Sequence, residues 1–496
     1  GRNGKEKKYQ CRRKPECPCH FFIMLLHAFY HFSAEITFFY YFRYIVYKLE
    51  RKNRKCSIID MMKRQERLRK ISIVLLIAFC VSSAQAFDYT DVSTGLSDAF
   101  SSLTGDNEGT TSFRSFLIPS GGRAESLGSA YTGLSDDVSY LEYNPAASCI
   151  MEQSELALFH NAWIADSAME TLSGTFRIGN AGFGAGLRCF YVPFSEYNVF
   201  GERVAGSYYS ETTAVLNASY NFHAGYTFKG LAVGANVKAA WRGVPDYTDN
   251  DTDAIISGSG LSQSALAVAG DAGIMMRFNA LKFYVSREPN IRVGLNLLNA
   301  GAAVTGFGSS SGMKADDPLP TSAAAGISWH IIRPVMITAE FRQPFNLMNM
   351  SEYQMWSAGS GISVQITDFF SVLGGFLIKG ADPRISLGAE FTVMKVLMNV
   401  NYTLDLTSSL NPVNHISLSA KVRLGDGGRA QQQAKIDELY NEGLDYFAQS
   451  NFTAAIDVWK EILKIDRFYD PALDGIRSAQ NQIMLFQRIR DAQFLD

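Results

Sequence analysis

Residues 415–424 read HISLSAKVRL. Taken two apart, one set is His415, Ser417, Ser419, Lys421 and Arg423, and the other is Ile416, Leu418, Ala420, Val422 and Leu424. Successive side chains of an extended strand point to opposite sides, so the stretch predicts a strand with one polar, charged face and one wholly apolar face.

The same alternation recurs along the chain. Arg384, Ser386, Gly388, Glu390 and Thr392 oppose Ile385, Leu387, Ala389, Phe391 and Val393. Further back, Leu231, Val233, Ala235, Val237, Ala239 and Trp241 oppose Gly234, Asn236, Lys238 and Arg242. Residues 171–178, 214–223, 266–278, 291–297, 335–342, 362–367 and 396–405 follow the pattern. A soluble sandwich also alternates, with its apolar faces turned to each other. Three features favour a transmembrane barrel instead. The strands run to about ten residues, the length a tilted strand needs to cross a bilayer. The apolar faces of the clearest strands carry no charge. Connections alternate between tight turns (179–182, 229–230, 333–334, 367–368, 394–395) and longer polar stretches (193–210, 243–261, 301–320), with 380–383 short where a long one is due. The predicted fold is an all-β transmembrane barrel of about fourteen antiparallel strands over residues 154–424. Closure pairs every backbone donor and acceptor, which lets such a ring sit in hydrocarbon. After Ala86 no segment has the run of about 18 apolar residues that a membrane helix needs.

The 496 residues hold 46 Lys and Arg and 48 Asp and Glu. Residues 1–86 take 18 of the basic and 6 of the acidic groups, leaving 28 and 42 for the rest. That acidic body excludes nucleic-acid binding through a basic surface. Five of the seven cysteines precede residue 87, so a disulfide scaffold or zinc ribbon is excluded for the body.

Residues 61–86 have the build of a secretory signal peptide. Lys63, Arg64, Arg67, Arg69 and Lys70 form the basic start, Ile71–Val81 the apolar centre and Ala84-Gln85-Ala86 the cleavage pattern. Residues 1–60 contain two aromatic clusters bracketed by basic runs, read here as a mis-annotated upstream extension rather than an extra anchor. Both termini of the barrel are expected at the periplasmic rim.

Residues 87–153 do not alternate. They contain GGRAESLGSAYTGLSDDVSYLEYNPAA, crowded with small residues at Gly121, Gly122, Ala124, Gly128, Ala130 and Gly133. The segment is too long for a simple leader loop and suits packing where space is short, as inside a barrel. With Asp136-Asp137 and the closing Asn144-Pro145-Ala146, it resembles the N-terminal signature of the FadL family of outer-membrane transporters for long-chain fatty acids and other hydrophobic compounds. It is more similar still to the related spirochaetal (treponemal) family of uncharacterised outer-membrane barrels, and it resembles PorV-type barrels. The resemblance implies an N-terminal hatch over 87–153 that plugs a fourteen-stranded barrel, with Asn144, Pro145 and Ala146 as hatch residues. An Asn-Pro turn leading into the first strand is the simpler alternative, since Pro145 fixes its own torsion and restricts Asn144.

After a Gly-rich linker (425–430) the chain turns helical. Leu439, Gly443, Tyr446, Ala455 and Trp459 fall at the spacing of one tetratricopeptide (TPR) repeat within a helical domain over 431–496, although Ile462 stands where a small residue is usual. A lone repeat buries little, so it should dock on the rim, dimerise or hold a periplasmic protein partner.

Nothing points to an enzyme. His160, His223, His330 and His415 are scattered singly, and Gly182, Gly184 and Gly186 lie on a predicted strand rather than opening a helix, marking narrow barrel positions. No cofactor or metal is expected. The polar faces place Arg177, Arg188, Lys238, Asp271, Arg277, Glu340, Arg342, Arg384, Glu390, Lys421 and Arg423 in the lumen. Among them Arg188, Lys238, Arg277, Arg342 and Arg384 are the candidate partners of a ligand carboxylate. The expected function is transport of a hydrophobic small molecule, such as a long-chain fatty acid, across the outer membrane of a diderm bacterium. The barrel contacts membrane lipid, and the helical tail lies in the periplasm. The alternative is an outer-membrane docking protein that binds secreted or periplasmic partners through its tail; a diffusive porin ranks third.

Overall fold

The computed structural model describes residues 111–493, apart from 165, 198–199, 248, 250–254, 308–311, 351–353, 380–381 and 406–412. The expected upstream extension (1–60), the signal peptide (61–86) and the start of the pre-barrel segment (87–110) lie outside the described residues.

Fifteen strands form one antiparallel sheet. They are β1 (Ser154–Ala162), β2 (Ala168–Ile178), β3 (Ala181–Tyr197), β4 (Arg203–Phe222) and β5 (Leu231–Gly243). Next come β6 (Ala265–Phe278), β7 (Ile291–Thr305), β8 (Lys314–Pro318), β9 (Ser322–Ile332) and β10 (Val335–Pro344). The last are β11 (Ser357–Thr367), β12 (Phe370–Lys379), β13 (Asp382–Val393), β14 (Val396–Asp405) and β15 (Val413–Gly425). Strand β15 returns to β1, with Leu156 opposite Val422 and Leu158 opposite Ala420. Strand β7 pairs with both β6 and β9, so fourteen strands close a ring, and short β8 adds to the end of β7. The predicted barrel and its strand number are what the chain forms.

Burial runs opposite to that of a water-soluble domain. On β15 the polar His415, Ser417, Ser419 and Lys421 are almost fully buried, whereas Ile416 and Leu424 are 47% and 63% exposed. On β4 and β5, Leu216 and Val237 face out while Asn217, Asn236 and Lys238 face in. Such an apolar exterior is stable only where the surrounding medium is itself apolar, which disposes of the sandwich alternative. No helix among the described residues is long and apolar enough to cross a membrane.

Three sequence expectations need correction. Residues 193–197 and 203–210, expected as loop, extend β3 and β4 in continuous register from Pro193 opposite Tyr208 to Glu196 opposite Ala205. Much of 301–320 is likewise strand, the end of β7 and all of β8. The polar residues that suggested loops there are strand residues beyond the apolar belt. Third, the rim that carries Ser154 and Gly425 (the near rim) is not built only of tight turns. Two-residue turns join β2 to β3, β9 to β10, β11 to β12 and β13 to β14, but residues 223–230 and 279–290 make long ones. At the first of the tight turns Gly179 takes φ 57, the left-handed conformation a two-residue hairpin needs.

Those two longer turns meet the C-terminal helices α1 (Arg429–Ala448), α2 (Phe452–Ile465) and α3 (Asp470–Gln493). Tyr226 N donates to Phe468 O at 3.3 Å, and the rings of Tyr226 and Tyr469 stack edge to face at 5.0 Å. Arg287 forks onto both carboxylate oxygens of Asp437 at 2.8 and 2.7 Å. Within the helices a Cβ on Gly443 would fall 2.1 Å from Trp459 Nε1, so only glycine lets α1 approach the buried Trp459 of α2. Asn451 caps α2, its side chain accepting from Ala454 N.

Candidate functional site

The lumen is occupied by residues 111–153. The chain starts at the far rim, where Ser112 N donates to Pro318 O, and ends at the near rim, where Arg429 bonds to Met151 O and Glu152 O. The segment before β1 thus runs the length of the interior, while the barrel's own ends, Ser154 and Gly425, share the near rim as an even strand number requires. Between those points it has only short helical turns, at Arg114–Leu117, Arg123–Ser126, Tyr140–Tyr143 and Pro145–Ile150, and from Ser120 to Met151 almost every residue is buried.

Its seat is a belt of inward glycines. A Cβ on Gly375 would stand 2.0 Å from Gly128 N; on Gly182, 2.1 Å from Cys149 N; on Gly234, 2.2 Å from Pro145 O. Gly273 and Gly294 make the same room for Asn144, Gly326 for Gly133, Gly359 for Gly128 and Gly388 for Ser126. Glycine within a strand commonly marks the close approach of another backbone. The narrow positions read at Gly182 and Gly184 are part of this belt, which extends around the ring.

Asn144, Pro145 and Ala146 sit at its centre. The Asn144 amide donates to Thr132 O (3.0 Å) and Ile274 O (3.2 Å), and its oxygen accepts from Ala146 N. Pro145 O accepts from Asn217, and Ala146 is fully buried. Asparagine supplies a donor and an acceptor at a point where three stretches of backbone converge.

Ion pairs and carboxylate hydrogen bonds tie the segment to strands β3, β10, β13 and β15. Arg123 contacts Asp136 (3.3 Å) and Glu390 of β13, Asp137 contacts Lys421, Glu125 contacts His415, and Glu142 contacts Arg188 at 3.4 Å. Glu340 accepts from Tyr131 N and Thr132 N at 2.9 and 2.8 Å. On the opposite wall Asn217, Asn236, Asp271, Lys238 and Asn299 form one hydrogen-bonded chain across four strands. Its Asn236 also holds Leu141 O.

The five candidate cations all face inward, at different heights. Arg188 donates to Ser115 O and Ile118 O, and Lys238 contacts Asp271 and Asn299 at 2.8 Å. Arg277 lies near the near rim, bonded to Lys229 O. Arg342 is paired with Glu340 at 2.7 Å, and Arg384 lies 5.7 Å over the Trp163 ring. Of the five, Arg342 and Arg384 line a common space, a cavity of about 120 Å³ on the far side of the segment, with Phe116, Ile118, Met355 and Leu377 beside them. A second cavity of about 290 Å³ lies on the near side, lined mostly by polar residues including Arg123, Asp136, Glu155 and Arg423. The structure thus brings two of the five together and separates the other three.

The sequence reading passed over Glu125, Glu142, Asn217 and Asn236, which bind the segment to the wall. The signal was present: a buried polar set on an otherwise mixed face, and a glycine in the middle of strand after strand. No single strand reveals it.

The profile described as "Uncharacterised protein family (UPF0164)" matches residues 89–427. A UPF0164 protein of Treponema pallidum (strain Nichols) is 29% identical over 407 residues, covering 80% of this chain and 89% of its own. A second from the same organism is 33% identical over 195 residues, 38% of this chain and 54% of its own. Among solved structures, the Ralstonia pickettii toluene transporter TbuX superposes with TM-score 0.40 at 14% identity, covering 61% of this chain and 98% of its own. A Pseudomonas aeruginosa FadL homologue gives TM-score 0.36 at 11% identity, covering 64% and 100%. With its profile match running from the lumenal segment through the last strand, this chain belongs to the UPF0164 family.

Proposed function

We propose that this barrel transports hydrophobic small molecules, of the long-chain fatty acid class, across the outer membrane of a diderm bacterium, with residues 111–153 as a hatch and the helices on the periplasmic side. The observation that carries the reading is the pair of cavities on opposite sides of one buried segment. The far-side cavity joins apolar Phe116, Ile118, Met355 and Leu377, suited to an acyl chain, to the guanidinium groups of Arg342 and Arg384, where a carboxylate head would exchange with Glu340 at Arg342. Cargo would pass to the polar near-side cavity only if the segment shifts, and the many polar contacts that hold it offer alternative partners as it does so.

The test is uptake of labelled fatty acid into liposomes holding the purified barrel. Uptake above empty liposomes is expected, and the R342A/R384A double variant should lower uptake of the acid more than that of a neutral hydrocarbon of equal length. Equal rates with and without protein refute the transport reading.

A docking role is favoured by a separate observation: the tail is fixed to the rim by two turns longer than closure requires. Co-purification from cells with and without residues 430–496 tests it, loss of a specific companion protein upon deletion being the supporting result.

A further inference from the structure

The turn between β6 and β7, residues 279–290, is built inside out. Lys282, Asn279 and Asn290 use their polar groups within the turn. Lys282 Nζ donates to Asn279 Oδ1 (3.0 Å), Ser286 O (2.6 Å) and Glu288 O (2.6 Å), and Asn290 exchanges hydrogen bonds with both backbone groups of Ala280. Arg333 from the neighbouring β9–β10 turn donates to Val285 O at 2.6 Å. Alternate residues point the other way and are bare: Leu281 is 69% exposed, Phe283 70% and Val285 89%. Leu281 even holds φ 47, a left-handed conformation uncommon for leucine, so this outward display is maintained against local preference.

A loop in water would do the reverse, exposing its lysine and hiding its phenylalanine. The apolar set also continues an existing surface. Ile274 and Met276 at the end of β6, and Leu295 on β7, face outward on the lipid side of the same two strands. On its other flank the turn is engaged by the helical tail through Arg287 and Asp437.

We propose that Leu281, Phe283 and Val285 insert into the phospholipid leaflet at the near rim, making this turn an interfacial membrane anchor that also fixes the height of the helical tail. Apolar side chains at the bilayer boundary gain by leaving water, and the cationic groups behind them stay at headgroup level. The inference rests on the barrel facing lipid and not on transport, so a barrel that moves no cargo leaves it standing.

The experiment places a small environment-sensitive fluorophore at Val285→Cys in the full chain, reconstituted into vesicles of phosphatidylethanolamine and phosphatidylglycerol. The parent chain labelled in the same way gives the background from native cysteines, and Asp474→Cys on the exposed side of α3 is the water-facing control. A severalfold loss of quenching by aqueous iodide relative to the Asp474 site is expected, together with strong quenching by a nitroxide carried near the lipid headgroup. Iodide access equal to that of the control overturns the proposal. So does a label shielded from iodide yet untouched by the lipid nitroxide, which would assign the surface to a contact within this chain or with a second copy of it.

Discussion

Two adjacent glycines on β12 separate the cost of crowding the lumen from the cost of altering a strand. Gly375 points inward and Gly374 outward. A methyl group on Gly375 would stand 2.0 Å from Gly128 N and 2.5 Å from Leu127 C, both backbone atoms that have no rotamer to turn away. Ordinary contact begins near 3.4 Å, so the lumenal segment at Gly128 has to retreat by about 1.4 Å. On Gly374 the same methyl meets only Ile362 Cγ2 at 3.6 Å. Neither glycine has positive φ, so alanine is conformationally acceptable at both. Overpacking of this kind costs about 1–3 kcal/mol. At about 1–2 kcal/mol the ratio of folded to unfolded protein already falls some 5- to 30-fold. Gly375→Ala should therefore lower the urea midpoint of the detergent-solubilised barrel and expose the segment around residues 126–129 to protease. Gly374→Ala should match the parent or exceed it slightly, because alanine is less costly than glycine to order. Equal midpoints for the two variants would refute the assignment of the glycine belt as the seat of the segment.

Three other outcomes follow from the same geometry. Lys421 and Asp137 are almost fully buried partners, so Lys421→Ala leaves an unpaired carboxylate and should destabilise by about 3–5 kcal/mol; a second change, Asp137→Asn, should restore part of the lost urea midpoint. The Arg287–Asp437 pair is half exposed and worth at most about 1 kcal/mol. Asp437→Asn should thus leave the barrel's unfolding unchanged while speeding proteolysis at the linker before α1. Asp426 accepts from the backbone N–H groups of Ala430 and Gly428 at the start of α1, which holds its carboxyl below the ordinary value of 3.8. A carboxyl lowered on folding contributes fully above its unfolded value and loses that contribution as pH falls through the lowered folded one. Fraying of the first turn of α1, followed by amide exchange, should appear only below the ordinary carboxylate range, and Asp426→Asn should abolish that pH dependence.

The sequence by itself determined the ring. A period of two, carried by strand after strand with one uncharged apolar face, leaves little freedom about which side meets lipid, and one-residue slippage would put Lys421 and Glu390 into hydrocarbon. That is why the inward set read from alternation, from Arg177 to Arg423, faces inward in the structure. The local restriction at Asn144-Pro145 was legible too, because proline fixes its own torsion and restricts that of its predecessor; here Asn144 caps the helical turn Pro145–Ile150. What the sequence did not determine is everything that depends on distances across the lumen. Alternation says that Arg188, Lys238, Arg277, Arg342 and Arg384 point inward, but not that Arg342 and Arg384 share a cavity, since height on a tilted strand is set by register around the whole ring. Glycines on β3, β5, β6, β7, β9, β11, β12 and β13 look like ordinary small residues until the segment they seat is in place. The 223–230 and 279–290 turns contact helices more than 140 residues away, a relation no local pattern encodes. Local periodicity fixes direction, and only the closed tertiary structure fixes proximity.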